Sequence, residues 1–245
     1  MKFPFVTFMA FLSLTPGFGA LTADQVLSKV DEVRNPQLDY SVAVKITSNK
    51  PNRPAAVSSY DVLVKGRDKS VSKIVTPAVD RGRVLLMNKE NFWVYMPNIS
   101  KPIRISLQEK LTGEVANGDL ARANFSGDYT PTLTGEKKLG GKNCFVLDLK
   151  AKNENVTYGR VVLWVDKTNY RSLQAQFYAF SGRLLKNCTY SEYKPMGGAT
   201  RPTKLTMVDA VNKDHYSVLE LSNMVVKTIP EKYFTKDYLG KLTNE

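Results

Sequence analysis

The 245-residue sequence holds a single histidine and two cysteines, and that scarcity removes most catalytic and metal-binding chemistry. With one imidazole, His215, which falls in a predicted strand, no ordinary zinc set can be assembled. Cys144 and Cys188 do not form a C-x-x-C pair. No G-x-S-x-G elbow, phosphate-binding glycine loop or H-E-x-x-H helix occurs. Hydrolase and redox functions have little support, no cofactor or metal is implied, and the chain reads as a non-enzyme. Internal repeats, low-complexity tracts and linkers are also missing, so residues 20–245 are expected to form one domain. Past the first twenty residues no apolar run reaches the ~20 residues that a membrane-spanning helix needs.

The start of the chain is where apolar residues do run together. Lys2 gives a short positive region, Phe3 to Leu14 an apolar stretch, and Thr15, Pro16 and Gly17 break it. Gly17 and Gly19 stand three and one before a cut after Gly19, so residues 1–19 read as a cleavable signal peptide. The alternative, a membrane anchor, is disfavoured by the shortness of the run. With no cysteine near the cut the chain cannot be acylated there, and with no twin arginine the general secretory route is favoured. A soluble periplasmic protein is therefore expected. In that oxidising compartment a disulfide would persist if its geometry allowed one.

Hydrophobic residues make up 42% of the chain and the formal charge is +12. A packed core is expected, and a basic balance suits nucleic acid, an anionic membrane or an acidic partner. Export argues against nucleic acid, and the basic residues are spread along the chain without aromatic interleaving.

One helix opens the mature chain. Thr22 and Gln25 have capping-box spacing, and Val26, Leu27, Val30 and Val33 recur at helical intervals, leaving Asp24, Lys29, Asp31 and Glu32 on the wet side. Asn35-Pro36 ends it. Period-two alternation then takes over, as in Tyr40, Val42, Val44 and Ile46, and continues through runs near 142–150, 156–166, 171–180, 183–193, 203–210 and 215–226. Gly140-Gly141 and Ser181-Gly182 are hairpin signals. About eleven short strands joined by turns predict a mainly β antiparallel meander, closed or half-closed like a barrel.

Hairpin counting assigns faces. Four-residue loops at 88–91 and 98–101 set Met87 opposite Phe92, Leu85 opposite Val94, Met96 opposite Ile103 and Val94 opposite Ile105, placing these seven residues on one face. The turn at 181–182 groups Leu173, Ala175, Phe177 and Ala179 with Leu184, Cys188 and Tyr190. A loop at 167–170 adds Val162 and Trp164. So apolar a face must be covered by a packed core or enclose a cavity, and one helix about 18 Å long is too short to cover it. If the strands are sequential neighbours, those of Cys144 and Cys188 lie three steps apart, ~14 Å against the ~7 Å Cα limit of a disulfide. Two free thiols follow.

Residues 107–130 break the alternation. They hold Gly113, Gly118, Gly127 and a possible short helix at 119–123. An insertion of this length is a plain surface loop or a functional one. As a lid it would have low local stability, with Leu111, Leu120 and Phe125 available to touch the groove.

Ordered segments along nearly the whole mature chain resemble the outer-membrane lipoprotein-sorting protein family, the LolA-like periplasmic carriers. They are the helix ending at RNP 34–36, PAVDRG 77–82, FWVYMP 92–97, RIS 104–106, GDL 118–120, FSGDY 125–129, LWVDK 163–167, GRLLK 182–186 and FTKDYL 234–239. The resemblance implies a half-open β-barrel whose concave apolar face, capped by helices, shields acyl chains, and it favours the cavity over the packed core. The lining would be Leu85, Met87, Phe92, Val94, Met96, Ile103, Ile105, Val162, Trp164, Leu173 and Phe177. The implied partners are an acylated lipoprotein or a free lipid, an inner-membrane donor complex, and an outer-membrane acceptor or RND-type exporter, with the protein acting as a monomer. A lipid-sensing or exporter-accessory interaction module is the alternative.

Overall fold

A computed structural model of the protein describes residues 21–99, 101–122 and 124–243, so the expected signal peptide lies outside the described residues. Helix α1 spans Ala23–Arg34. Thr22 Oγ1 accepts from Gln25 N, and Gln25 Oε1 accepts from Thr22 N, so the capping box satisfies two otherwise orphaned amides. Val26, Leu27 and Val30 are buried as the spacing requires. Asp31 is the exception: it is 2% exposed, not on the wet side.

The strands are β1 (Tyr40–Asn49), β2 (Ala56–Lys65), β3 (Lys69–Thr76), β4 (Val84–Asn88), β5 (Asn91–Tyr95), β6 (Ile103–Arg104), β7 (Lys110–Thr112), β8 (Val115–Ala116), β9 (Tyr129–Leu139), β10 (Lys142–Ala151), β11 (Arg160–Asp166), β12 (Ser172–Tyr178), β13 (Leu184–Met196), β14 (Ala199–Asp209) and β15 (Tyr216–Val226). The five-residue helix α2 (Asn117–Ala121) follows β8, and the single turn α3 (Leu239–Leu242) lies near the C-terminus. Thirteen strands form one antiparallel sheet ordered β6-β5-β4-β3-β2-β1-β15-β14-β13-β12-β11-β10-β9, and β7 pairs with β8 alone. This is the mainly β antiparallel meander that the alternation predicts, half-open as the resemblance implies, with two more strands in the sheet than the expected eleven. His215 lies in the turn just before β15, not in a strand.

Because β1 pairs with β15, the two free edges fall mid-chain, at β6 and β9. The segment that joins them, β7-β8-α2, therefore has to travel from one edge of the sheet to the other. The sheet also curls. On a flat sheet the β4–β5 turn and the β10–β11 loop would lie about nine strand steps apart, ~43 Å, yet Asn155 Nδ2 donates to Glu90 Oε2 at 3.1 Å. Curling turns one face inward, and the edge-to-edge segment spans its mouth.

The inner face holds the larger core, including Val44, Ile46, Met87, Phe92, Leu147, Leu163, Phe177 and Leu219, with α1 and α2 packed on it. On the outer face a second cluster joins Val71, Val84 and Leu86 to Ile229, Phe234, Leu239 and Leu242 of the C-terminal segment. Strands β2 to β5 are thus covered on both sides.

Cys144 and Cys188 are both buried and unbridged, on β10 and β13, three steps apart. Burial, with the Asp119 carboxylate adding to it, pushes the Cys188 thiol up to about 12 against the opposing charges of Lys186 and Arg34. Folded protein at pH 8 is expected to leave Cys188 unmodified by a thiol reagent, because the thiolate is the reactive form. Denatured, unreduced protein should then titrate two thiols per chain. A titre of zero would overturn the strand order.

Candidate functional site

Leu85, Met87, Phe92 and Phe177 are buried in the inner core, with Val94 and Ile105 partly buried against it. The pairs Met87–Phe92 and Leu85–Val94 form as counted. The next hairpin is shifted by two residues: Val94 faces Ile103, and Ile105 N donates to Phe92 O. The connection after β5 is longer than four residues. Parity survives a shift of two, but Ile103 lands on the edge strand at 48% exposure and Met96 falls beyond β5, outside the core.

Val162, Trp164 and Leu173 do not belong to the inner face. The 167–170 turn forms as expected, but the ladder slips between Trp164–Gln174 and Val165–Ser172, leaving Leu173 as the extra residue of a bulge. One inserted residue exchanges the faces of everything beyond it. Val161, Leu163 and Val165 point inward, and Val162 and Trp164 outward. A second bulge, between Phe177 and Tyr178, takes Leu184 out of the group, while Ala175 still faces Cys188.

The segment over this face is docked, not loose. Leu120 and Phe125 are buried in the inner core and Leu111 packs against it. Cavities of about 70 and 40 Å³ lie beneath it, each well short of the ~300 Å³ at which ligand pockets begin. Its apolar anchors are joined by fastenings that are polar and buried.

Asp31 of α1 accepts from Phe125 N at 3.0 Å and from Ser126 N at 2.7 Å. Asp119 of α2 accepts from Ala116 N at 2.8 Å and from Tyr158 Oη at 2.7 Å. Burial, then the Asp119 charge, lifts the Tyr158 phenol well above its ordinary value, so it stays a donor. Lys186 of β13 donates to Asp119 Oδ2 and to the Glu114 carbonyl, each at 2.5 Å, with both side chains of the ion pair about 5% exposed. Arg34 lays its guanidinium 4.2 Å from the Phe125 ring centre.

Two glycines let the segment come so close. A Cβ at Gly113 (φ +52°) would sit 2.1 Å from Ser48 Oγ and 2.3 Å from Ser217 Oγ, the buried pair to which Glu114 N also donates. A Cβ at Gly118 would sit 1.8 Å from Thr157 Oγ1. Only hydrogen fits at either position.

A solved LolA superfamily protein from Nitrosomonas europaea matches with 44% identity and a TM-score of 0.86, covering 89% of this chain and all of that one. The chain belongs to the LolA superfamily. A family model described as an uncharacterized protein matches residues 66–241. A putative outer membrane lipoprotein-sorting protein domain from Vibrio parahaemolyticus (21% identity, TM-score 0.76, covering 89% of this chain and 98% of that one) shares the fold. So does a DUF1329 family protein from Desulfovibrio piger (24%, 0.76, 89% and 97%). No curated protein matches the chain.

In this LolA superfamily chain the polar residues of the site are the ones that sequence reasoning missed. Asp31 looks solvated by helical phase, and Lys186 occupies the inward position between Leu184 and Cys188. Neither gives a signal without the lid that it bonds to. Among the described residues no group of three metal-ligating side chains occurs, and no helix is long and apolar enough to cross a membrane.

Proposed function

We propose that the protein is a periplasmic carrier that takes the acyl chains of a lipid or lipoprotein onto the inner face of its sheet and releases them toward the outer membrane. The observation that carries this reading is an apolar face closed by a segment held through buried polar contacts, Asp31 to residues 125–126 and Lys186 to Asp119. A permanent core needs only apolar closure. A cover fastened by directional bonds has a discrete undocked state, since those bonds are made or lost together.

In that state Leu85, Met87, Phe92, Val94, Ile105 and Phe177 line the groove, and Leu111, Leu120 and Phe125 are the lid's apolar contacts. Such a shield has a physical rationale. At ~0.8 kcal/mol per CH₂, a sixteen-carbon chain costs ~13 kcal/mol to expose to water, so unaided transfer across an aqueous gap would be negligible. The sequence-based signal peptide supports the periplasm as the compartment, and an inner-membrane donor and an outer-membrane acceptor follow from the direction of transfer.

Hydrogen exchange with and without a fluorescent long-chain fatty acid tests the mechanism. Since the cavities beneath the lid are too small for a chain, loading has to displace the lid. Amides that bond the lid to the rest of the fold, those of Glu114, Phe125 and Ser126, are expected to lose protection as the probe binds, while β10 to β13 keep theirs. Binding with unchanged lid protection would place the acyl site elsewhere. Absence of binding, together with no lipid co-purifying from periplasmic extracts in native mass spectrometry, would overturn the carrier reading.

A further inference from the structure

We propose that Lys186 is the recognition point for an acidic head group, so that the cargo is a free acidic lipid whose phosphate or carboxylate replaces Asp119 when the lid lifts. This rests on the carrier reading above and adds the chemical class of the cargo.

Lys186 is 4% exposed and projects from the inner face opposite Phe177. Its ammonium lies 5.2 Å from the Tyr158 ring centre and 5.6 Å from that of Phe177. Both oxygens it bonds, the Asp119 carboxylate and the Glu114 carbonyl, belong to the lid. The sheet carries one other carboxylate beside it. Asp209, the cross-strand partner of Lys186, is engaged by the amides of Val211 and Asn212 at 2.8 Å each. Displacing the lid therefore strips a buried cation of its bonded oxygens at the moment the cargo arrives. A charge in an apolar setting has to be paired, and the incoming molecule is what can pair it.

The surroundings suit a head group. A groove of about 470 Å³ beside Lys186, between the lid and the turn after β14, is lined by Lys110 and Arg183 as well as by Glu114 and Asp209, so cations and carboxylates share it, and that volume is within the usual range for a ligand site. An acyl tail on the apolar face and an acidic head at Lys186 would occupy the two parts together. The net positive charge of the chain steers it toward anionic membrane surfaces. A cargo without charge at its head, such as a fully acylated protein terminus, would leave Lys186 unpaired.

Two fluorescent probes with the same sixteen-carbon chain, one ending in a carboxylate and the other in an alcohol, separate the possibilities on the mature protein. Wild type is expected to bind the acid at least tenfold more tightly. Lys186→Met, which loosens the lid for both probes alike, should bring the ratio to about one. Asp119→Asn, which keeps the lysine and removes its competitor, should widen the ratio, and it decides the matter if Lys186→Met does not fold. Equal affinities in wild type, or a ratio unchanged by either substitution, overturn the acidic-lipid assignment and leave the carrier reading standing. Failure of wild type to bind either probe overturns both.

Discussion

Asp119→Ala is expected to lower the stability of the closed protein by about 3–5 kcal/mol, the range for a buried ion pair that loses one partner. The carboxylate is 6% exposed and serves Lys186, Tyr158 Oη and Ala116 N together. Its removal leaves one charge and two neutral donors desolvated. The loss should appear in urea titration as a lower midpoint, accompanied by faster exchange of the lid amides. If docking the lid contributes less than the pair does, the lid detaches first and the measured loss stops at the docking energy. Adding Lys186→Met should recover a substantial part, because a neutral pair carries no desolvated charge. The non-additivity of the two substitutions measures the coupling. A loss under about 1 kcal/mol for Asp119→Ala would show that water reaches the pair in the closed state.

The same contacts explain what could be seen in the sequence. The capping box, the apolar stripe of α1 and the alternation of the strands are local patterns, and each appears where its period places it. Facing followed from turn position for β4 and β5 because the Lys89-Glu90 turn preserves the counted pairs. It failed for Val162, Trp164 and Leu173, where one bulged residue reverses parity and nothing in the run Arg171-Ser172-Leu173-Gln174 marks the extra position. The site proved least legible. Asp31 meets residues 125–126 across more than ninety positions of sequence, and Lys186 meets Asp119 across sixty-seven. Long-range polar pairs of this kind have no period. Burial of a charged residue is decided by what comes to cover it, and here the cover is an irregular segment.

That segment also supplies the sharpest mechanical test, Gly118→Ala. Alanine is the better helix former by about 1 kcal/mol, and Gly118 lies within α2, so on local grounds the change should stabilise. The close approach to Thr157 dictates the opposite. The added Cβ would meet Thr157 Oγ1 at 1.8 Å and its Cβ and Cγ2 at 2.8 Å. Turning the threonine side chain cannot clear its Cβ, so either the 152–159 loop shifts or the lid rises. Overpacking of this kind costs about 1–3 kcal/mol, and set against the helix gain a net loss near 1 kcal/mol makes the undocked state roughly fivefold more populated at ~1.4 kcal/mol per factor of ten. If undocking gates entry, association of a fluorescent fatty acid should accelerate by about that factor, with the sheet amides still protected. Thr157→Gly in the same chain removes the clashing atoms and should return the rate toward that of wild type. A fixed lid predicts another outcome: Gly118→Ala lowers the melting temperature, the association rate does not change, and the double variant restores stability alone. The rate of probe entry, measured on these variants beside wild type, therefore separates a lid that moves from a segment that only completes the core.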